Sequence, residues 1–476
     1  MGGDGTLVSV GIGYLKRGET MSRFVTVNRD TAYLLAPSVD EWLPQEHMAR
    51  YVVEVVDALD LSPMIRAYAG RGSDAHHPAV LSALLIYGYA TGVYSSRKIE
   101  AATYDSLAFR YIAGNTHPDH DTLATFRKRF IGEIEKLFVQ VLLIARENRL
   151  LKLGHIALDG TKVKANASRH SALSYGHIRE LEAQLQGEVQ ALLVKAEATD
   201  ASEQAQGLDI PAELARREQR LEAIAQAKAK IEAMAAERQA VEQAEYETKR
   251  AAYEQRCAQN QGKHGGGGRP PTAPGTDIED KAQVNLTDED SRIMPVRGAG
   301  FEQCYNAQLG VDTESRLIVV TGLTQSTVDK QQIEPALAQL DALPEKLGQA
   351  QSLIADNGFM SATNVTACAE HAQSITPLFA LGRDRHHISL EQRFGPDPLG
   401  PPPADALAAM AYRLKTQAGK ALYALRKSTV EPVIGIIKSV MGFDHFLLRG
   451  LANVTGEWNL ACLAYNIKRM HRLQRA

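Results

Sequence analysis

The chain has little of what stabilises secreted or membrane proteins. Its 476 residues include four cysteines, Cys257, Cys304, Cys368 and Cys462, scattered and without Cys-x-x-Cys spacing. That pattern argues against a disulfide framework and a zinc site, so a reducing cytoplasm is the expected setting. No stretch approaches the roughly 18 unbroken apolar residues that a membrane span needs, and no membrane partner is expected. An excess of positive charge is missing too: 53 basic against 56 acidic residues leave a net charge of -3. For a nucleic-acid-binding protein that total looks wrong, but it is unevenly spread. Residues 174–262 hold 16 acidic and 11 basic residues, leaving 42 basic against 40 acidic elsewhere, and residues 422–476 hold 8 basic against 3 acidic. Affinity for nucleic acid follows local clusters of cations, so the near-neutral sum does not exclude a DNA partner.

With 44% hydrophobic residues, a chain of this length can bury the cores of two or three domains. Residues 1–45 read as an amino-terminal extension. The part before Met21 is Gly-rich, lacks the basic and apolar regions of a secretion signal, and leaves Met21 as an alternative start. Residues 46–152 read as an all-helical domain. Tyr51 to Leu59 and Pro78 to Ala90 are helical, and Asp119 is placed to cap a long helix with Leu123, Phe126, Phe130, Ile131 and Ile134 as its apolar stripe. Arg127, Lys128 and Arg129 fall partly on the exposed side of that helix, and Arg97 and Lys98 precede Ile99. Each of these cations is either a phosphate contact or part of a solvated helix face.

The acidic segment is a separate unit, residues 174–274. Ile178, Leu181, Leu185, Val189 and Leu192 recur at helical spacing, Leu208-Asp209-Ile210-Pro211 interrupts, and Leu221, Ile224, Ile231, Met234 and Val241 resume. Two antiparallel helices would bury both stripes as a coiled hairpin, with Gly265 to Gly268 as a flexible return. The arm is either a solvated spacer or a device for dimerisation or for holding DNA ends.

The chemistry lies in three carboxylates distant in sequence. His155-Ile156-Ala157-Leu158 reads as a short buried strand ending in Asp159, and Gln351 to Ala355 as a second strand ending in Asp356. Glu431 sits in a segment of helical periodicity that also carries Tyr423, Arg426, Lys427 and Lys438. Because Pro432 is tolerated in a first helical turn, that helix is expected to start near Ser428 or Thr429. Carboxylates ending adjacent strands lie side by side at one sheet edge, and a third on a helix across the sheet completes an all-oxygen site for hard divalent cations. Such a site suits phosphoryl transfer.

These residues, with the segments Leu158 to Ser168, Asn285 to Arg292, Tyr305-Asn306-Ala307-Gln308 and Ala355 to Phe359, resemble in their order the bacterial insertion-sequence transposases of the DDE class. The resemblance implies an α/β ribonuclease-H-like catalytic core, a mixed sheet flanked by helices, over residues 153–173 and 275–476. It also implies an all-α DNA-binding domain before the core and the helical arm inserted between its first and second strands. It further implies Asp159, Asp356 and Glu431 as catalytic metal ligands for Mg²⁺ or Mn²⁺, two ions in all. The DNA would be terminal inverted repeats and a target, and the protein a homodimer in the cytoplasm, at the nucleoid when bound. Tyr423, Arg426 or Lys427, and Lys438 would contact DNA. The family spacing favours Lys427 as the basic residue before Glu431, whereas bidentate phosphate chemistry favours Arg426. Asn306 and Gln308, alternate on one strand face, either orient the metal ligands or belong to an edge strand, while nothing in the spacing of Asp290 or Asp329 demands metal. The alternatives in the same chemistry are a non-catalytic DNA-binding regulator and a metal-dependent ribonuclease-H-like nuclease.

Overall fold

A computed structural model describes residues 38–68, 75–200, 210–259, 269–275, 277–296, 298, 300–382 and 395–475. Residues 1–37, with Met21, and the loop Gly265 to Gly268 lie outside them. The amino-terminal region is helical throughout: α1 (Val39–Trp42), α2 (Met48–Asp57), α3 (Ser62–Arg66), α4 (Pro78–Thr91), α5 (Ser96–Asp105), α6 (Leu107–Ile112), α7 (His120–Arg129) and α8 (Ile131–Glu147). Pro78 opens α4 and Gly92, at φ 85°, closes it, the expected asymmetry of helix ends. Asp119 caps α7 by accepting from the Thr122 amide at 2.6 Å. The single long helix expected here is broken at Phe130, which leaves the helical region at φ -110° and ψ 20°. The kink still lets Leu123, Phe126, Phe130 and Ile134 reach one core.

The arm consists of α9 (Tyr175–Asp200) and the longer α10 (Ile210–Gln259). Ile178, Leu185, Ile224 and Ile231 bury one another together with Val284. The expected break at Leu208 to Pro211 falls mostly on residues outside those described, and α10 is already under way at Ile210. Helix α10 far outlasts α9: Met234 still receives Arg292 Nη2 at 3.6 Å, whereas Val241, farther on, is 62% exposed.

The strands are β1 (His155–Lys164), β2 (Ala172–Ser174), β3 (Gln283–Asn285), β4 (Arg292–Val296), β5 (Gly300–Asp312), β6 (Ile318–Thr324), β7 (Ser352–Ala355) and β8 (Thr376–Phe379). They form a six-stranded mixed sheet in the order β4-β5-β1-β7-β8, with β6 also on β5, while β2 and β3 pair apart at the base of the arm. Strand β5 is interior, pairing with β1 on one side and with β4 and β6 on the other. The expected end of β1 at Asp159 is corrected: pairing with β5 continues to Lys164 opposite Cys304, whereas the parallel pairing with β7 stops at Ala157 opposite Ile354.

Helices α11 (Ile333–Ala342), α12 (Ala362–Ala369), α13 (Ala406–Arg413), α14 (Gln417–Gly435) and α15 (Leu451–Leu473) complete the chain. Helix α14 packs across β1, β5 and β7, and α15 lies between β6 on one side and α4 and α8 on the other. One hydrophobic core therefore runs from the amino-terminal helices into the sheet. Among the described residues no single helix is long and apolar enough to cross a membrane.

The start of α15 is fixed from a distance. The Gly450 amide donates to Asp288 Oδ1 at 3.1 Å, the Leu451 amide to Asp290 Oδ2 at 2.9 Å, and the Tyr305 hydroxyl to Asp288 Oδ1 at 2.8 Å. Carboxylates at a helix N-terminus satisfy its orphan N–H groups and oppose its dipole, which accounts for both acids as structural. Replacing Asp288 with alanine strands the buried Tyr305 hydroxyl, and we expect a loss of about 2–3 kcal/mol in urea unfolding. An unchanged midpoint and slope would contradict this role.

Candidate active site

The register of the parallel pair sets His155 opposite Ser352 and Ala157 opposite Ile354, and the same offset carries Asp159 to the level of Asp356. Strand β7 ends there. Asp356 caps the short turn Asn357–Phe359, accepting from the Gly358 amide at 2.7 Å. Beyond this point the β7 side of β1 has no strand partner until Lys164, which bridges to His445, and α14 delivers Glu431 to the crevice between.

Helix α14 departs from the expected start at Ser428 or Thr429. It begins at Gln417, capped by Thr416, whose hydroxyl accepts from the Gly419 amide at 3.0 Å, and Pro432 lies inside it. The hydrogen bond that proline cannot donate would reach the carbonyl of Ser428, an exposed position where water can serve. Val430 and Val433 are fully buried, so packing against the sheet holds the helix through the proline. A π-helical turn, Ile436–Val440, follows directly, and such turns recur at functional sites.

Arg426 joins two of the acids. It donates from Nη1 to Asp159 Oδ2 at 3.2 Å and from Nη2 to Glu431 Oε1 at 3.0 Å. Burial opposes its charge, but Asp159, Tyr423, Glu431 and Asp356 together raise its pKa. Asp159 is pushed up to about 6, first by burial and then by Asp356, with Arg426 and the Gly160 amide resisting and Glu431 adding to the rise. The guanidinium thus stands where a cation relieves carboxylate repulsion, among donors that are all oxygen, a set that fits Mg²⁺ or Mn²⁺. Among the described residues no three ligating side chains are already closed around a point.

The other expected contacts divide. Lys427 is exposed, and it is its neighbour Arg426 that bonds Asp159 and Glu431. Lys438 donates to the Lys162 carbonyl of β1 at 2.6 Å, and burial lowers its pKa; it reaches none of the three acids. Arg97, Lys98 and Lys128 are exposed. Arg129 lies over the rings of Tyr68 and Phe130. Arg127 is corrected: it is buried, donating to the Tyr89 hydroxyl at 3.0 Å, which in turn donates to the buried Glu457 at 2.8 Å. A buried carboxylate and its hydrogen-bonded neighbours draw the cation inward, so Arg127 offers no face to DNA.

Asp329 is the residue that sequence reasoning missed. Its Oδ1 accepts from Asn306 Nδ2 at 2.7 Å and from Gln308 Nε2 at 2.8 Å, with Lys162 Nζ 3.8 Å away. A Cβ on Gly160 would meet that oxygen at 2.5 Å, so position 160 has no room for a side chain. Since neighbouring strand residues face opposite ways, Asp329 sits behind β1 from Asp159. Asn306 and Gln308 therefore hold Asp329 and touch neither Asp159 nor Asp356. Asn364 ties this turn to the Asp356 turn by donating to the carbonyls of Lys330 and Phe359, each at 2.7 Å. The only signal in the sequence was the pair of amides on one strand face.

Two family models match the chain: a Transposase domain (DUF772) over residues 37–129 and a Transposase DDE domain over residues 402–471. No curated protein and no solved structure matches it. The first span holds the helices up to Arg129, and the second holds Arg426, Glu431 and α15.

Two outcomes follow from this geometry. With its pKa raised, Asp159 stabilises the fold fully only below the ordinary value of 3.8, and that contribution is lost as pH rises through about 6. In EDTA, Asp159→Asn should therefore unfold later than wild type at about pH 8, by up to roughly 3 kcal/mol, with the gap closing by about pH 4; a gap independent of pH would contradict the shift. Asp329→Ala should cost about 2–3 kcal/mol by leaving the Gln308 amide unpaired and Asn306 with only the Ser326 carbonyl, and an unaltered urea midpoint would show that the clamp is idle.

Proposed function

We propose, for a chain that belongs to the insertion-sequence transposases of the DDE class, that it binds the terminal inverted repeats of its own element and cuts and joins DNA strands there in a metal-dependent reaction. The observation that carries this is the Arg426 guanidinium lodged between Asp159 and Glu431, with Asp356 at the adjacent strand end. Acids gathered around one cation at a strand end, Asp159 largely buried and Glu431 exposed, suit phosphoryl transfer better than they suit packing. The strand order, an antiparallel β6-β5-β1 followed by parallel β7 and β8 with the arm inserted after β1, supports a ribonuclease-H-like core.

Asp159, Asp356 and Glu431 would hold Mg²⁺ or Mn²⁺, two ions by family resemblance. When bound, such ions supply an activated water or 3′ hydroxyl and neutralise charge at the phosphate. The protein's own part is placement. The β1–β7 register fixes two acids, α14 brings the third, and Arg426 moves from the carboxylates to phosphate oxygens as the charge balance changes. Tyr423 and Lys427 lie on the same helix for contacts along the strand, and Lys438 braces β1 beside it. The helical region 46–152 would read the repeats, with Lys128, Arg129, Arg97 and Lys98 at the backbone, and a dimer would pair the two ends.

Asp159→Ala, Asp356→Ala and Glu431→Gln should each lower cleavage of repeat-bearing duplex by more than about a hundredfold while leaving repeat binding within about twofold. A variant that cuts in Mg²⁺ near the wild-type rate removes that residue from the site, and equal cleavage of scrambled ends removes the transposase reading in favour of a general nuclease.

A further inference from the structure

Away from the carboxylates, four cations crowd one small opening. Arg316 comes from the β5–β6 turn, and Lys468, Arg469 and Arg472 from the last turns of α15; with apolar walls from α14 they line a cavity of about 40 Å³. Lys468 donates to the Ala90 carbonyl at 2.6 Å and Arg469 to the Ser315 carbonyl at 2.8 Å. Those bonds anchor two half-buried stems but neutralise nothing. Arg316 and Arg472 are exposed, and among the described residues none of the four meets a carboxylate within ion-pair distance. Asp312, at the foot of the turn, is buried and taken up by the Ser315 amide and hydroxyl.

The charges press on one another. Burial holds Lys468 and Arg469 below their ordinary pKa, and Arg472 lowers both further, as Arg316 does Arg469. The helix dipole accounts for a cation at Arg472, but Arg316 belongs to another element. Its backbone also lies in the left-handed region, at φ 59°, where a side chain is strained and a glycine would not be. A strained arginine beside uncompensated like charges makes a setting suited to an anion.

We infer that this cluster is a second phosphate-holding site, which takes the backbone of a nucleic-acid strand running on from the carboxylate crevice. Pro432, the residue after Glu431, forms part of its wall together with Ile436, so one helix presents Glu431 to the crevice and a neighbouring face to the anion. The site is open, and its free guanidiniums stand at the rim, an arrangement that suits a passing polymer rather than an enclosed small ion. The identity of that polymer as DNA rests on the proposed function; the anion site does not.

The test uses the full-length protein in EDTA, with Arg316→Gly, Arg472→Gln and the double variant. Binding of terminal-repeat and scrambled duplexes is measured over a range of salt, with thermal unfolding alongside. Each single variant should weaken both duplexes alike by about threefold or more and lower the log Kd against log salt slope by about 0.9. Arg316→Gly should do so while melting no earlier than wild type, which a merely structural arginine would not allow. Unchanged affinity and slope in the double variant, with wild type still binding, overturn this inference alone. Protection of wild type by pyrophosphate that the double variant loses, without any change in DNA binding, assigns the site to a free polyphosphate and overturns the strand. Failure of wild type to bind either duplex removes the transposase reading as well.

Discussion

Carboxylates brought together where the pairing of two parallel strands ends repel each other, and burial strengthens the repulsion, so a fold that sets Asp159 beside Asp356 needs a cation among its acids. Arg426 is that cation, bonded to both Asp159 and Glu431. Its hold on Asp159 is incomplete, since the carboxyl remains raised to about 6. A guanidinium can leave, as a buried hydrophobic partner cannot, and the charge left behind would favour the divalent ion proposed above. The same arrangement explains why α14 must run unbroken through Pro432: Arg426 lies before the proline and Glu431 just ahead of it, and a helix starting at Ser428 would leave them without a common frame.

The site is set by the sheet, and the sheet is tied to the helical region through α15. That helix touches β6 on one side and α4 and α8 on the other, and its N-terminus is capped by Asp288 and Asp290 from the segment leading into β4. Behind β1, Asp329 receives two amides from β5 and shares the Asn364 bridge with the turn that bears Asp356. The polar residues of β5 and of the segments on either side of it are thus largely braces, some for the start of α15 and some for the turn that carries Asp356.

Much of this was legible in local pattern. The buried runs before Asp159 and Asp356 are strands because short apolar stretches bounded by turn residues have few other solutions, and the stripes at Ile178 and Ile224 announce two helices that cover each other. What local pattern could not show was set by distant partners. Strand β1 runs past Asp159 because β5, far along the chain, pairs with it to Lys164. Arg127 lies at an ordinary helix position and turns inward because Tyr89 and Glu457 wait there. Asp329 sits in a turn without periodicity, and its meaning depends on two amides of another strand. The proline in α14 misled because a local rule was outweighed by the burial of Val430 and Val433.

Whether the acids around Arg426 take up a divalent cation is tested most directly by anomalous diffraction from crystals of the protein soaked in Mn²⁺. The expected result is an anomalous peak in the crevice bounded by Asp159, Asp356 and Glu431, with the Arg426 guanidinium displaced from at least one of its two carboxylates. Mn²⁺ bound only elsewhere, with Arg426 still bridging Asp159 and Glu431, would contradict it.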